Sequence, residues 1–273
     1  MKMTSELPDA GDGIDQTARG GIQALDAALL VLHAMAACTG PVTLTDLSKA
    51  AAMPVSKVHR YLASFIHAGL VLQRERSGRY ELGPFAGELG LAALSRNAFV
   101  NRAADGLEEL GERTGLTVLL SVWANQGATV IRWERAASPV LTSFGLGSTL
   151  PLLSSASGRV FLAFLPRRLT AARLRTEIEY ARKSHLKWPD LDLSAKSVER
   201  LIACVRENRT AAVDGRFIPG LKAVSAPVTN WQGEAELAVT LIGTSEDILK
   251  PAGRVHAQLL AFTKCMSLPR PQV

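Results

Sequence analysis

The sequence predicts an α+β protein in two parts: an N-terminal winged helix-turn-helix and, after a linker helix, a larger domain built on an antiparallel sheet. Three observations predict it. Residues 43–82 read as helix, turn, helix and short hairpin in close succession. Residues 117–144 and 211–242 hold closely spaced strand-like runs. Helical patterns fill the stretch between those runs, and others flank them. The resulting boundaries are 1–20 for a polar, disordered head, 21–83 for the winged unit, 84–98 for the linker helix and 99–273 for the second domain.

The head is rich in Gly and Asp and has little apolar material to bury. Ile22–Cys38 then carries Ile22, Leu25, Leu29, Leu32 and Ala36 on one helical face, and Thr39-Gly40-Pro41 ends it. Thr43 and Asp46 are spaced as a capping box, followed by Leu44, Leu47, Ala50 and Ala51 at helical spacing. After the turn at Met53-Pro54, Pro54 suits the first turn of the next helix. That helix buries Val58, Leu62, Phe65 and Ile66 and stops at Gly69. Its other face opens with Ser56, Lys57, His59 and Arg60, groups able to reach base edges and phosphates from a helix N-terminus. Leu70–Leu72 and Tyr80–Leu82 are strand-like, and Arg74, Arg76 and Arg79 crowd the turn at Ser77-Gly78. A helix pair alone is common in proteins that bind nothing. Cations at a hairpin tip beside a polar helix face are what phosphate contact needs, and they favour DNA binding.

Gly83-Pro84 breaks the chain before a helix at Phe85–Asn97, which reads either as a connector or as a fourth packing helix. An amphipathic helix is expected over Phe99–Thr114, closed by Gly115. Strands follow at Thr117–Trp123, Thr129–Glu134 and Val140–Phe144, suggesting a meander. The small-residue segment Pro151–Arg159 runs into helix at Val160–Leu165. Helices are expected at Ala171–Lys183 and Ala195–Asn208, capped by Thr170 and Ser194, then strands at Ala211–Asp214, Ala223–Thr229 and Glu236–Ile242 and a last helix at Pro251–Met266.

The formal net charge of +6 suits an anionic partner, but its distribution matters more. Residues 19–83 hold seven Lys/Arg against four Asp/Glu, the head nets −3, and residues 84–273 carry +6. Cys38, Cys204 and Cys265 are far apart with no metal-ligand spacing, so buried thiols in a reducing cytoplasm are expected. His33 interrupts the most apolar stretch, Ala27–Ala37, and the acidic N-terminus is unlike a secretion signal. A soluble cytoplasmic protein is the expectation.

Enzyme signatures fail on inspection. Gly145-Leu146-Gly147 lacks the third glycine of a dinucleotide site, and Ser155-Ala156-Ser157-Gly158 lacks the first glycine of a nucleophile elbow. His33, His59, His67, His185 and His256 show no paired spacing, so no metal or cofactor is expected. Ser154–Gly158 at a helix start leaves backbone N–H groups open, which favours a small acid's carboxylate; a helix cap with close packing beneath it is the equal alternative.

Three segments together resemble the IclR-type bacterial transcriptional regulators over residues 20–268. VSKVHRYLASFIHAGLVLQ is similar to the family's recognition helix and wing. LPLLSSASGRVFLAFLP resembles its small-residue turn and helix, with Gly158-Arg159-Val160 where Gly-Lys-Ala is usual. GLKAVSAPV followed by ELAVTLIG resembles its paired C-terminal strands. The resemblance implies a homodimer or dimer of dimers on a palindromic operator, with a GAF/PAS-like domain sensing a small organic acid. It implies DNA contact by Ser56, Lys57, His59 and Arg60, with Arg76 and Arg79 on the wing. It implies effector contact by Ala156, Ser157, Asp214, Ala223, Thr240 and Ile242. Some members have cysteine and serine at the positions of Ala223 and Ile242, so the less polar pocket here suggests an aromatic or larger acid. Two other readings stand beside it: an enzyme converting small acids with a winged domain attached, and a constitutive DNA-binding protein whose second domain only oligomerises.

Overall fold

The computed structural model describes residues 22–38, 40–96, 98–136, 144–186, 188–215, 217–251 and 253–268. The chain divides after Arg96 into two compact units.

The first unit comprises α1 (Gln23–Ala36), α2 (Leu44–Ala50), α3 (Val55–His67), a hairpin of β1 (Val71–Gln73) and β2 (Tyr80–Leu82), and α4 (Pro84–Ser95). The capping box on α2 forms in full: the Thr43 hydroxyl accepts from the Asp46 N–H, and the Asp46 carboxylate accepts from the Thr43 N–H. Val31, Leu47, Val58 and Leu62, one or two from each of the first three helices, are wholly buried together with Val71 and Tyr80 from the hairpin. The hairpin pairs antiparallel, and Val42 bridges to Tyr80 from its outer side. This small core leaves the polar face of α3 and the tip of the hairpin outside.

The second unit holds one antiparallel sheet of six strands in the order β5-β4-β3-β8-β7-β6. These are β3 (Thr117–Ala124), β4 (Gly127–Glu134), β5 (Thr149–Leu150), β6 (Ala211–Asp214), β7 (Lys222–Thr229) and β8 (Ala235–Gly243). Two meanders, β3-β4-β5 and β6-β7-β8, join where β3 pairs with β8. Side chains alternate between two apolar layers. Leu237, Val239 and Leu241 enter the layer beneath α5 (Ala98–Ala104), α6 (Leu107–Thr114) and α10 (Arg254–Met266). Ala238 and Ile242 enter the layer beneath α7 (Ala156–Phe164), α8 (Arg167–Lys183) and α9 (Ala195–Asn208). Covering both faces explains why β7 and β8 read as almost unbroken apolar runs although the sheet is antiparallel.

Four expectations change: Cys204 and Cys265, expected buried, are exposed, and three more concern the helices. The helix expected over Phe99–Thr114 is two helices broken at Asp105-Gly106; Phe262 of α10 packs into the break, where a Gly106 Cβ would stand 2.7 Å from its ring. The helix expected from Val160 begins earlier, at Ala156, because Ser155 caps it by accepting from the Gly158 N–H. Thr170 is no cap: α8 starts directly after Pro166, and Thr170 is buried within it. The strand expected at Val140–Phe144 lies, but for Phe144, outside the described residues.

Candidate functional site

In the first unit the burial of Val58, Leu62 and Phe65 turns the opposite face of α3 outward. Ser56, Lys57, His59 and Arg60 are all exposed. Spacing extends the stripe from Ser56, His59 and Arg60 to Ala63 and His67, also exposed. The Lys57 ammonium lies 5.9 Å from the centre of the Tyr61 ring, which holds it beside the stripe. Pro54 precedes the helix with no side-chain cap, so the first N–H groups of α3 stay open to an anion. At the hairpin, Arg74 is tied to Glu81 at 2.9 Å, whereas Arg76 and Arg79 are exposed near the tip. Arg79 also reaches the Pro41 carbonyl at 3.4 Å.

The second unit places a cavity between the start of α7 and the sheet. Its walls are Leu119, Leu150, Leu221, Ile242 and Ala223, with Phe144 and Phe217 at 5.6 Å between ring centres. Ala156, Ser157 and Thr240 supply its polar end. The N–H groups of Ala156 and Ser157, the first two of the helix, are buried and have no partner among the described residues. The Ser157 hydroxyl lies 2.7 Å from that of Thr240, with no histidine or carboxylate beside it. Of the residues expected here, Ala156, Ser157, Ala223, Thr240 and Ile242 line the cavity. Asp214 does not: its side chain is exposed beside Lys222, and Val213 takes the inward position. One residue of slip on a strand reverses the face, and that is the physical reason.

The turn that presents these donors is held from behind by two side chains. Gly158 is obligatory, because a Cβ there would stand 1.9 Å from the Pro151 carbonyl oxygen. The Glu177 carboxylate, on α8, accepts from the Leu152 N–H at 2.7 Å and the Leu153 N–H at 3.1 Å. Burial pushes its pKa up, against the pull of those donors and of Arg173. Arg159, 3 % exposed, donates to the Leu153 carbonyl at 2.7 Å and to Asp190 at 2.7 Å. Burial lowers its pKa to about 10, which still leaves it charged at neutral pH. Sequence reasoning missed Glu177 and Asp190, which sit 24 or more positions from the groups they hold. No local pattern marks them. Among the described residues no group of three His, Cys, Asp or Glu could hold a metal ion, and no helix is long and apolar enough to cross a membrane.

A winged helix-turn-helix with a cationic tip, followed by a sheet domain with a donor-lined apolar cavity, defines the class of ligand-binding transcriptional regulators. Residues 24–75 match the IclR helix-turn-helix domain, and residues 91–267 match the bacterial transcriptional regulator IclR C-terminal domain. The chain belongs to the IclR family of bacterial transcriptional regulators. It is 28 % identical over 231 residues to the transcriptional regulator BhcR of Paracoccus denitrificans, covering 85 % of this chain and 81 % of that one. It is 33 % identical to HmgR of Pseudomonas aeruginosa, whose crystal structure superposes with a TM-score of 0.68 over 90 % of this chain and 98 % of that one. An IclR homolog from Microbacterium hydrocarbonoxydans, crystallised with 4-hydroxybenzoate, shares the fold at 17 % identity, with a TM-score of 0.68 and coverage of 90 % and 98 %.

Proposed function

We propose that the chain binds a palindromic operator as a homodimer or dimer of dimers, and that a small organic acid with an aromatic or larger apolar body alters that binding from the cavity beside α7. The observation that carries the reading is the pair of buried, unpartnered N–H groups of Ala156 and Ser157 facing apolar walls. Such donors favour a carboxylate, and the walls of Leu119, Leu150, Phe144 and Phe217 favour an apolar remainder. The relative crystallised with 4-hydroxybenzoate supports an aromatic acid. The free space is about 40 Å³. A cavity that takes up benzene measures about 150 Å³. Binding therefore has to widen the site. That widening gives the ligand different affinities for two conformations, which is what a response requires.

For the DNA contact, Ser56, Lys57, His59 and Arg60 serve as the reading face and Arg76 and Arg79 as phosphate contacts. Support for self-association comes from exposed apolar residues at helical spacing: Leu25 and Leu29 on α1 with Ile22 just before it, and Phe85 and Leu89 on α4. The test uses duplex selected from a random library by the native chain. Lys57→Ala with Arg60→Ala is expected to abolish binding to that duplex and to leave ligand-induced thermal stabilisation intact. Unchanged duplex affinity would remove α3 as the reading element.

A further inference from the structure

Behind the cavity lies a chain of three buried hydroxyl groups. Ser157 Oγ is 2.7 Å from Thr240 Oγ1, Thr240 Oγ1 is 2.9 Å from Ser225 Oγ, and Ser225 Oγ is 3.1 Å from the Val239 carbonyl oxygen. Exposure is 1 %, 2 % and 0 % along the series. Ser157 and Thr240 line the cavity; Ser225 does not. Each hydroxyl owns one proton, and a carbonyl can only accept. Ser225 therefore donates to Val239, Thr240 must donate to Ser225, and Ser157 must donate to Thr240. All three protons point away from the cavity, and Ser157 Oγ meets a ligand with its lone pairs.

We infer that the effector is a 2-hydroxy acid with an apolar or aromatic body, and that Ser225 selects it without touching it. This rests on the cavity being the effector site. Ser157 then offers a donor, its N–H, and an acceptor, its Oγ, separated by two carbons. The complement is a molecule whose acceptor and donor are likewise separated by two carbons: a carboxylate oxygen and the hydroxyl on the adjacent carbon. A 2-oxo acid of the same shape brings a second acceptor against the Ser157 lone pairs. To receive it, the hydroxyl chain must reverse and give up the Ser225 bond to Val239. A site built around one polarity of hydrogen bond discriminates against its opposite, here by about tenfold or more.

The test measures binding of mandelate and phenylglyoxylate, which differ at the carbon beside the acid, to the full chain by calorimetry. The native chain is expected to prefer mandelate by about tenfold. In Ser225→Ala, Thr240 is free to donate to Ser157, whose proton then turns to the cavity, so the preference collapses or reverses. Ser225→Thr keeps the hydroxyl and restores it. Equal affinities in the native chain, or an unchanged preference in Ser225→Ala, overturn the inference. Ala156→Val, whose two added methyl groups take up the small free space beside the donors, separates the two levels. If it binds both acids as the native chain does, or if the native chain binds neither, the cavity reading fails and the inference falls with it.

Discussion

Gly158→Ala sets two effects of opposite sign against each other. Gly158 is in the first turn of α7, and glycine in a helix costs about 1 kcal/mol relative to alanine, so propensity alone predicts a gain. The added methyl would stand 1.9 Å from the Pro151 oxygen and 2.6 Å from Leu152 Cα, and both are backbone atoms that no rotamer change can move. Ordinary contact begins near 3.4 Å, so the turn must retreat by about 1.5 Å. That retreat breaks the bonds from Leu152 and Leu153 to Glu177 and from Arg159 to Leu153, at 2.7, 3.1 and 2.7 Å. Losing even two of these three charge-assisted bonds costs about 3–6 kcal/mol, which exceeds the propensity gain. For a unit of this size the net loss of about 2–5 kcal/mol lowers the transition by about 4–20 °C. Trp123, Trp133, Trp188 and Trp231 all lie in the second unit, so tryptophan fluorescence reports its unfolding alone. Gly111→Ala in α6 is the control. Its methyl would meet Val118 at an ordinary 3.4 Å, and it should leave the transition unchanged or raise it. A Gly158→Ala transition within about 2 °C of the native one would refute the steric reasoning.

Three further outcomes are expected. Thr43→Ala removes the α2 capping box and should destabilise the first unit by about 1 kcal/mol in calorimetry; no change would mean the box contributes nothing. Glu177→Gln offers one acceptor to two N–H groups and should cost about 1–3 kcal/mol. Because burial raises the Glu177 pKa, its contribution is full below the unfolded value and is lost as pH rises through the folded one. The deficit of the Gln variant in urea titrations should therefore narrow as pH rises, and a widening deficit would contradict it. Asp190→Ala strips a buried guanidinium of a partner that is itself 37 % exposed, so a loss of about 1–3 kcal/mol is expected from the fluorescence transition. A variant as stable as the native chain would show that water replaces Asp190.

Local chemistry was legible in the sequence wherever a few neighbouring residues determine the outcome. The Thr43–Asp46 box, the stop at Gly69 and the Ser194 cap all act within one turn, and each forms as expected. The apolar stripe of α3 was readable for the same reason, since Val58, Leu62 and Phe65 share a face by spacing alone; Ile66, expected beside them, is 39 % exposed. The misreadings arose where distant residues decide. Phe262 packs against the break at Gly106 from more than 150 positions away, and nothing near Gly106 announces it. The family resemblance points to Asp214, and a single step along β6 separates inward Val213 from outward Asp214. The clamp of Glu177 and Arg159 behind the turn was invisible because its partners meet only through the packing of α7 and α8. The small-residue segment announced a close approach, and Gly158 supplies it.

The most direct measurement is operator affinity by fluorescence anisotropy with and without a saturating acid, in the native chain and in Ala156→Val. The native chain should change its affinity by about fivefold or more on adding the acid, and the operator should change acid affinity by the same factor. Ala156→Val, which takes up the free space without forcing the site to widen, should bind the operator normally and ignore the acid. An operator affinity indifferent to every acid that stabilises the native chain would contradict the link between the α7 cavity and the α3 surface.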